Sequence, residues 1–187
     1  ANINGLVTAI YSTCCGAHGN GFYSKLLSID PAQTNDKHEV VSWFPTFGND
    51  VFPWAINNQN IIVGNSGSLF TAHRQPMKIL PTGENTWGPP IALESLDNTT
   101  GEGGRVIGDS SVLDISNNEE RPFGVGISGS PHTHGIVWDI NTGTIAADFG
   151  PLTQAWQISG DGTKVAGLKK AFAIPPITTP TVWSTDN

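Results

Sequence analysis

Charged residues are scarce in this sequence. Asp, Glu, Lys and Arg make up 13% of its 187 residues, about half of the usual quarter. This scarcity excludes a charge-driven disordered chain, a coiled coil and a basic nucleic-acid arm. Nine Lys and Arg stand against sixteen Asp and Glu, so the net charge is −7. Such a field repels phosphate backbones within about 8–10 Å, and we predict no nucleic-acid partner.

Long apolar runs are also absent. No stretch approaches the roughly 18 apolar residues of a transmembrane helix, so we predict no membrane span. Residues 1–5 carry neither the basic nor the apolar region of a signal peptide, and there is no initiator Met. The small residue Ala1 is compatible with an earlier cleavage, and Asn98-Thr99-Thr100 is an acceptor pattern for N-glycosylation. We therefore expect a secreted, extracellular protein.

Cysteine is limited to two adjacent residues, Cys14 and Cys15. An ordinary disulfide needs Cα atoms about 4.4–6.8 Å apart, whereas neighbouring Cα atoms are only about 3.8 Å apart. Three alternatives stay open: two reduced, buried thiols, a strained vicinal disulfide, and a bond to another chain. None of them completes a four-ligand zinc site, because there is no second pair of cysteines.

Glycine, proline and aromatic residues are abundant instead, with 22 Gly, 13 Pro, six Trp and eight Phe. This composition favours many short strands joined by tight turns over long helices. Three segments, residues 54–66, 113–128 and 156–167, share one pattern: a strand, a polar turn, and a second strand with an apolar residue followed by Gly. Their turns hold Asn-Asn, Asn-Asn and Gly-Asp-Gly, which are typical of hairpins. We interpret Asp161 as a hairpin turn residue.

The repeat length is that of a propeller blade. Gly126 and Gly167 are 41 residues apart, within the roughly 40–50 residues of a four-stranded blade. The segment 103–110 shows a similar pattern 44 residues after Gly64, so either Gly108 or Gly126 anchors the second unit. Further strands are predicted at residues 68–71 and 77–80, as third and fourth strands of the first unit, and at 135–139, 144–147 and 180–184.

The stretch from Ile158 to Gly167, with the apolar-apolar-Trp strand at 136–138 and the Thr-Val-Trp strand at 181–183, resembles the extracellular HAF repeats. Those repeats build β-propellers, and the resemblance covers about half of the chain in pieces. It implies an all-β fold, with residues 1–187 forming a single small propeller of four or five four-stranded blades. The ring would close by pairing residues 5–10 with the blade around Val182. The alternatives are an open propeller fragment and a β-sandwich.

Few patterns point to chemistry. His132 and His134 have the spacing of metal ligands on one face of a strand, although flanking Pro and Gly favour a solvated turn. No spacing selects a carboxylate pair of the kind that glycosidases use, and no phosphate loop or nucleophile elbow occurs. We predict no cofactor, and enzymatic activity stays open.

Aromatic residues provide the remaining candidates. Trp54, Trp138, Trp156 and Trp183 recur in the repeat strands and are predicted to pack between blades. Trp87 lies in the polar loop 82–104, and with Asn85 and Asn98 it is predicted to stack on and hydrogen-bond a sugar. The alternative is that Trp87 anchors its loop on the core.

The sequence leaves three alternative functions open. The first is a secreted binding module that recognises a glycan or a protein surface through propeller loops. The second is an extracellular glycan hydrolase or lyase with carboxylates in a central channel. The third is a structural subunit of a surface assembly, for which a homo-oligomer is expected.

Overall fold

A computed structural model describes residues 6–16, 19–28, 39–43, 51–66, 73–83, 86–96, 100–101, 105–106, 108–129, 132–171 and 177–185. For the strands before residue 51, and for some later strand residues, only the backbone is described. All regular secondary structure in these ranges is β-strand, which confirms the all-β prediction. No helix in them is long and apolar enough to cross a membrane.

The first half of the chain forms two sheets. Sheet 1 has the order β1-β2-β3, and sheet 2 is β12-β6-β5-β4 with β9 added on β6. Two short pairs, β7-β8 and β10-β11, lie in or directly beside the segment 82–104 that was predicted as a loop. The strands are β1 (Leu6–Gly16), β2 (Gly19–Ser28), β3 (Glu39–Trp43), β4 (Val51–Ile56), β5 (Ile62–Ser66), β6 (His73–Ile79), β7 (Pro81–Gly83), β8 (Thr86–Trp87), β9 (Ile91–Ala92), β10 (Thr100–Gly101), β11 (Arg105–Val106) and β12 (Gly108–Asp109).

The second half forms two antiparallel meanders. Sheet 3 has the order β13-β14-β15-β16, and sheet 4 has the order β17-β18-β19. Their strands are β13 (Ser111–Ile115), β14 (Phe123–Ser128), β15 (His134–Asp139), β16 (Ile145–Pro151), β17 (Thr153–Ile158), β18 (Lys164–Ala171) and β19 (Ile177–Ser184).

The three repeat units share a structural signature. The first strand of each unit bulges by one residue against the second, and the extra residues are Trp54, Leu113 and Trp156. The glycines after the apolar residue lie at the same place in each unit. A β-carbon on Gly64, Gly126 or Gly167 would overlap the carbonyl oxygen of Phe52, Ser111 or Gln154, respectively. Only glycine fits such a close approach of two backbones.

The structure decides which glycine anchors the second unit and corrects one strand assignment in the first unit. Gly126 anchors the second unit, since Gly108 lies in β12, which runs parallel to β6 and pairs with His73. Met77 and Ile79 belong to the third strand of the first unit, because β6 pairs directly with β5. Their assignment to a fourth strand is wrong, and the predicted third strand at 68–71 lies outside the described residues.

The sheets pack face to face in chain order. One apolar cluster lies between sheets 2 and 3, and a second lies between sheets 3 and 4, so sheet 3 is covered on both faces. In β15, Ile136 and Trp138 face sheet 2 while Val137 faces sheet 4, and all three are fully buried. This two-sided burial explains the continuous apolar run in that strand.

The charged residue Lys78 is also buried between sheets 2 and 3, only 7% exposed. Its Nζ donates hydrogen bonds to the carbonyl oxygens of Ile140 and Asn141, at 2.5 and 3.2 Å. Burial lowers the pKa of Lys78, and the nearby Asp139 carboxylate partly offsets that effect. The ammonium group therefore ties two sheets together at the edge of the apolar cluster.

The terminal strands pair locally. In the described pairings, β1 pairs with β2 and β19 pairs with β18. The predicted closure between residues 5–10 and the strand around Val182 is not among them.

Candidate binding cleft

The first strands of three successive sheets line a cleft. Strands β4, β13 and β17 enclose a volume of about 340 Å³, at the small end of the roughly 300–1,000 Å³ of ligand pockets. Each strand contributes its bulged residue and the residue that follows. The residues at these positions are Trp54, Ala55, Leu113, Asp114, Trp156 and Gln157.

The bulges explain why two tryptophans are at the cleft. In a regular strand, alternate residues face opposite sides, and an extra residue is displaced from that alternation. Trp54 and Trp156 occupy the extra positions and are 42% and 52% exposed. The interpretation of these two residues as core is therefore wrong, whereas Trp138 is fully buried and Trp183 packs on the cluster between sheets 3 and 4.

One of the two indoles is held by a polar contact across strands. The Trp54 Nε1 donates a 2.7 Å hydrogen bond to Oδ1 of Asn65 on β5. The same oxygen accepts a 2.9 Å bond from the hydroxyl of Ser111 on β13. Because Asn65 is fully buried, its amide fixes the ring of Trp54 relative to both sheets.

Asp114 is the carboxylate of the cleft lining. Its Oδ2 accepts a 3.0 Å hydrogen bond from the backbone N–H of Ile158, which joins sheet 3 to sheet 4. Burial raises the pKa of Asp114, and backbone hydrogen bonds from Ile158 and Ile115 partly offset the rise. One carboxylate oxygen of Asp114 therefore makes a hydrogen bond between two sheets, and the residue also lines the cleft.

This raised pKa predicts a pH effect on stability. The folded state binds the Asp114 proton more tightly, so the resulting stabilisation is full below the unfolded pKa of about 3.9. It is lost as the pH rises through the folded pKa. The free energy of unfolding of the natural protein, minus that of Asp114→Asn, should therefore fall with rising pH across this window. Urea unfolding at several pH values measures it.

Asp161 supplies a control of opposite sign. Hydrogen bonds from Ser159 and Thr163 lower the pKa of this exposed carboxyl. The difference between the natural protein and Asp161→Asn should therefore rise with pH, up to about pH 3.9. If the two differences changed with pH in the same direction, the role assigned to burial of Asp114 would be wrong.

The hairpin turns at one end of the cleft are linked. The backbone N–H of Asn58 donates to Oδ1 of Asn117 at 2.9 Å, and the N–H of Asn117 donates to the carbonyl of Gly160 at 2.8 Å. Within the third turn, Asp161 Oδ1 accepts the N–H of Thr163 at 3.0 Å. Asp161 is confirmed as a hairpin turn residue, and these bonds hold the three first strands in a fixed arrangement.

The predicted sugar site in loop 82–104 is described only at Trp87. This residue is partly buried and packs on the cluster of Ile56, Ile62, Met77 and Ile79. Its Nε1 donates a 2.8 Å hydrogen bond to the carbonyl of Asn60. These contacts are those of the loop anchor that the sequence left open as an alternative. Asn85 and Asn98 lie outside the described residues, so a ligand site there stays a prediction.

Within the described part of the chain, the predicted metal ligands His132 and His134 do not converge with a third side chain on one point. His134 Nδ1 lies 2.9 Å from Oδ1 of Asp148, and His132 is exposed. No group of three or more His, Cys, Asp or Glu side chains converges within the described ranges. A metal site at these histidines stays a prediction.

Cys14 and Cys15 lie in β1, between residues Thr13 and Gly16 where its pairing with β2 is irregular. Their side chains are outside the described part, so the three alternatives for these cysteines stay open.

No protein-family model matches the chain, and no curated protein and no solved structure does. The cleft was missed by the sequence analysis because Trp54 and Trp156 were assigned to the core by their repeat position. No residue type marks a bulge, so the sequence alone does not show which side these two indoles face.

Proposed function

We propose that the successive sheets are blades of one small β-propeller domain of HAF type, secreted from the cell. Three features support this proposal. The units have the same bulge and the same close-approach glycine, and each sheet packs on the next. The first strands lie together at the cleft, as inner blade strands do around an axis. A β-sandwich has two packed sheets, whereas sheets 2, 3 and 4 pack as a row of three.

We further propose that the chain is a binding module that holds a glycan in the cleft. The observation that carries this proposal is the pair of half-exposed indoles, Trp54 and Trp156, on either side of the strand that bears Asp114. Indole faces stack on the C–H faces of sugars, while carboxylate and amide groups bond hydroxyl or ammonium groups. Gln157 is a polar residue of the same wall.

The charge of the site favours a neutral or cationic sugar. Asp114 lies in the wall and the chain carries a net charge of −7, so an anionic ligand would be repelled. Glycoside hydrolysis commonly uses two carboxyl groups about 5–10 Å apart. Among the described residues of the lining, Asp114 is the single carboxylate, and this favours binding over hydrolysis.

The binding test uses a β-1,4-linked glucosamine tetramer as probe. A single small site of this kind should have a Kd near 1 mM, which corresponds to a binding free energy of about −4 kcal/mol. Trp156→Ala should weaken binding about tenfold, since an aromatic stacking contact contributes about 0.5–1.5 kcal/mol beyond area burial. Isothermal titration calorimetry measures both constants.

Trp87→Phe is the matched control, because it keeps an aromatic ring on the core while it removes the pyrrole part of the indole and its N–H. It should bind the probe as the natural protein does. Undiminished binding by Trp156→Ala would contradict the cleft site, and loss of binding in Trp87→Phe would favour the loop site instead.

A further inference from the structure

The two tryptophans of the cleft occupy equivalent positions in the first and third units. Each is the extra residue of a bulge, and each lies two residues after the one whose carbonyl oxygen approaches the repeat glycine. The residue paired with that carbonyl position is Asn65 in the first unit and Leu168 in the third. Both also pair with a proline on the third strand, Pro76 and Pro180 respectively. Asn65 and Leu168 are therefore equivalent residues of the two units.

This difference between the units changes what each indole N–H can do. Trp54 Nε1 donates its 2.7 Å hydrogen bond to Oδ1 of Asn65, which is fully buried. Leu168 has no acceptor in its side chain, and no described residue accepts a hydrogen bond from Nε1 of Trp156. Trp156 is also the more exposed of the two rings. The N–H of Trp54 is thus used within the protein, whereas that of Trp156 is available to a ligand.

We infer that Nε1 of Trp156 donates a hydrogen bond to an oxygen atom of the ligand, while Trp54 contributes only the face of its ring. This inference rests on the proposed glycan site and assigns different roles to its two indoles. A ligand that took the N–H of Trp54 would first have to break the bond to the buried amide of Asn65. The loss of that bond would offset the gain of the new one.

The class of ligand follows from the hydrogen-bonding groups of the cleft. An indole N–H only donates, and an ionised carboxylate such as that of Asp114 only accepts. A hydroxyl group can do both, so a chain of hydroxyl groups can bond Trp156 and Asp114, which line the same cleft. An apolar ligand, or a quaternary ammonium ion without oxygen, would leave the N–H of Trp156 unused. The cleft therefore favours a polyhydroxylated ligand over other ligands that stack on indoles.

The experiment is hydrogen exchange of the indole N–H groups with solvent, measured by NMR on the natural protein with and without the glucosamine tetramer. Without the probe, the N–H of Trp54 should exchange at least about tenfold more slowly than that of Trp156, because it is hydrogen-bonded. With saturating probe, exchange of the Trp156 N–H should slow at least about tenfold.

Two substitutions at Leu168 separate a hydrogen bond from simple coverage of Trp156 by the ligand. Leu168→Asn places in the third unit the amide that Asn65 provides in the first, so it should slow exchange at Trp156 without the probe. It should also weaken binding of the probe about three- to tenfold, since the N–H is then already bonded. Leu168→Ala is the matched control, because it shortens the same partly exposed side chain without adding an acceptor. It should exchange and bind as the natural protein does.

Three results would overturn the inference and leave the proposed glycan site intact. They are binding of the probe without slower exchange at Trp156, equal exchange rates of Trp54 and Trp156 before the probe is added, and a Leu168→Asn variant that exchanges or binds as Leu168→Ala does. If Leu168→Asn fails to fold, the exchange rates of the natural protein decide. No binding of the probe to the natural protein would instead contradict the proposed function itself.

Discussion

Replacing Gly126 by alanine is expected to lower the free energy of unfolding by about 3 kcal/mol or more. The added β-carbon would overlap the carbonyl oxygen of Ser111 and lie 3.0 Å from the Cα of Val112. Both neighbours are backbone atoms of the bulged strand β13, so no side-chain rotation relieves the overlap. The bulge at Leu113 and the pairing of β13 with β14 would have to move. Urea unfolding followed by circular dichroism measures the loss.

Gly160 provides the matched control for this substitution. A β-carbon there would meet only Nδ2 of Asn117, at an ordinary contact distance of 3.8 Å. Gly160→Ala should therefore change the free energy of unfolding by about 0.5 kcal/mol or less, as surface substitutions do. Equal effects of the two substitutions would mean that the repeat glycines are not sites of close backbone approach.

Replacing Trp138 by alanine is expected to cost about 3–5 kcal/mol, the usual range for a buried large aromatic residue. The side chain is fully buried in the cluster between sheets 2 and 3. Its Nε1 donates a 2.7 Å hydrogen bond to the carbonyl of Glu94, so the substitution also removes a hydrogen bond of the indole. Thermal and urea unfolding both report this loss.

Trp156 serves as the comparison, because the same substitution there removes a side chain that is 52% exposed. Trp156→Ala should cost about 1 kcal/mol or less, and the protein should remain folded for the binding measurement. If Trp156→Ala were as destabilising as Trp138→Ala, the indole at the cleft would be part of the core and unavailable to a ligand.

The repeat pattern was predictable because it depends on local chemistry. Glycines at 64, 126 and 167 and the polar turns between strands mark positions where the backbone alone limits the choice of residue. The structure gives all three glycines the same close contact. Turn residues such as Asp161 were predictable for the same reason, because Asp bonds its own turn.

Other features depend on the neighbouring sheet and were not readable in the sequence. Trp54 and Trp156 occupy bulges, and a bulge changes which side a residue faces without changing residue type. Lys78 reads as a surface residue, yet its ammonium group reaches carbonyl oxygens 62 and 63 residues further along the chain. The third strand of the first unit was misplaced because β6 is identified by its pairing with β5, which no local signal specifies.

The central claim is that the cleft between the first strands is the ligand site, and titration of the indole N–H signals by two-dimensional NMR tests it most directly. The six Trp signals are assigned by single Trp→Phe variants, and the glucosamine tetramer is then added to the natural protein. We predict that the signals of Trp54 and Trp156 shift together with one binding constant, while those of Trp87 and Trp138 stay in place. A shift confined to Trp87, or no shift of Trp54 and Trp156 at saturating probe, would contradict the claim.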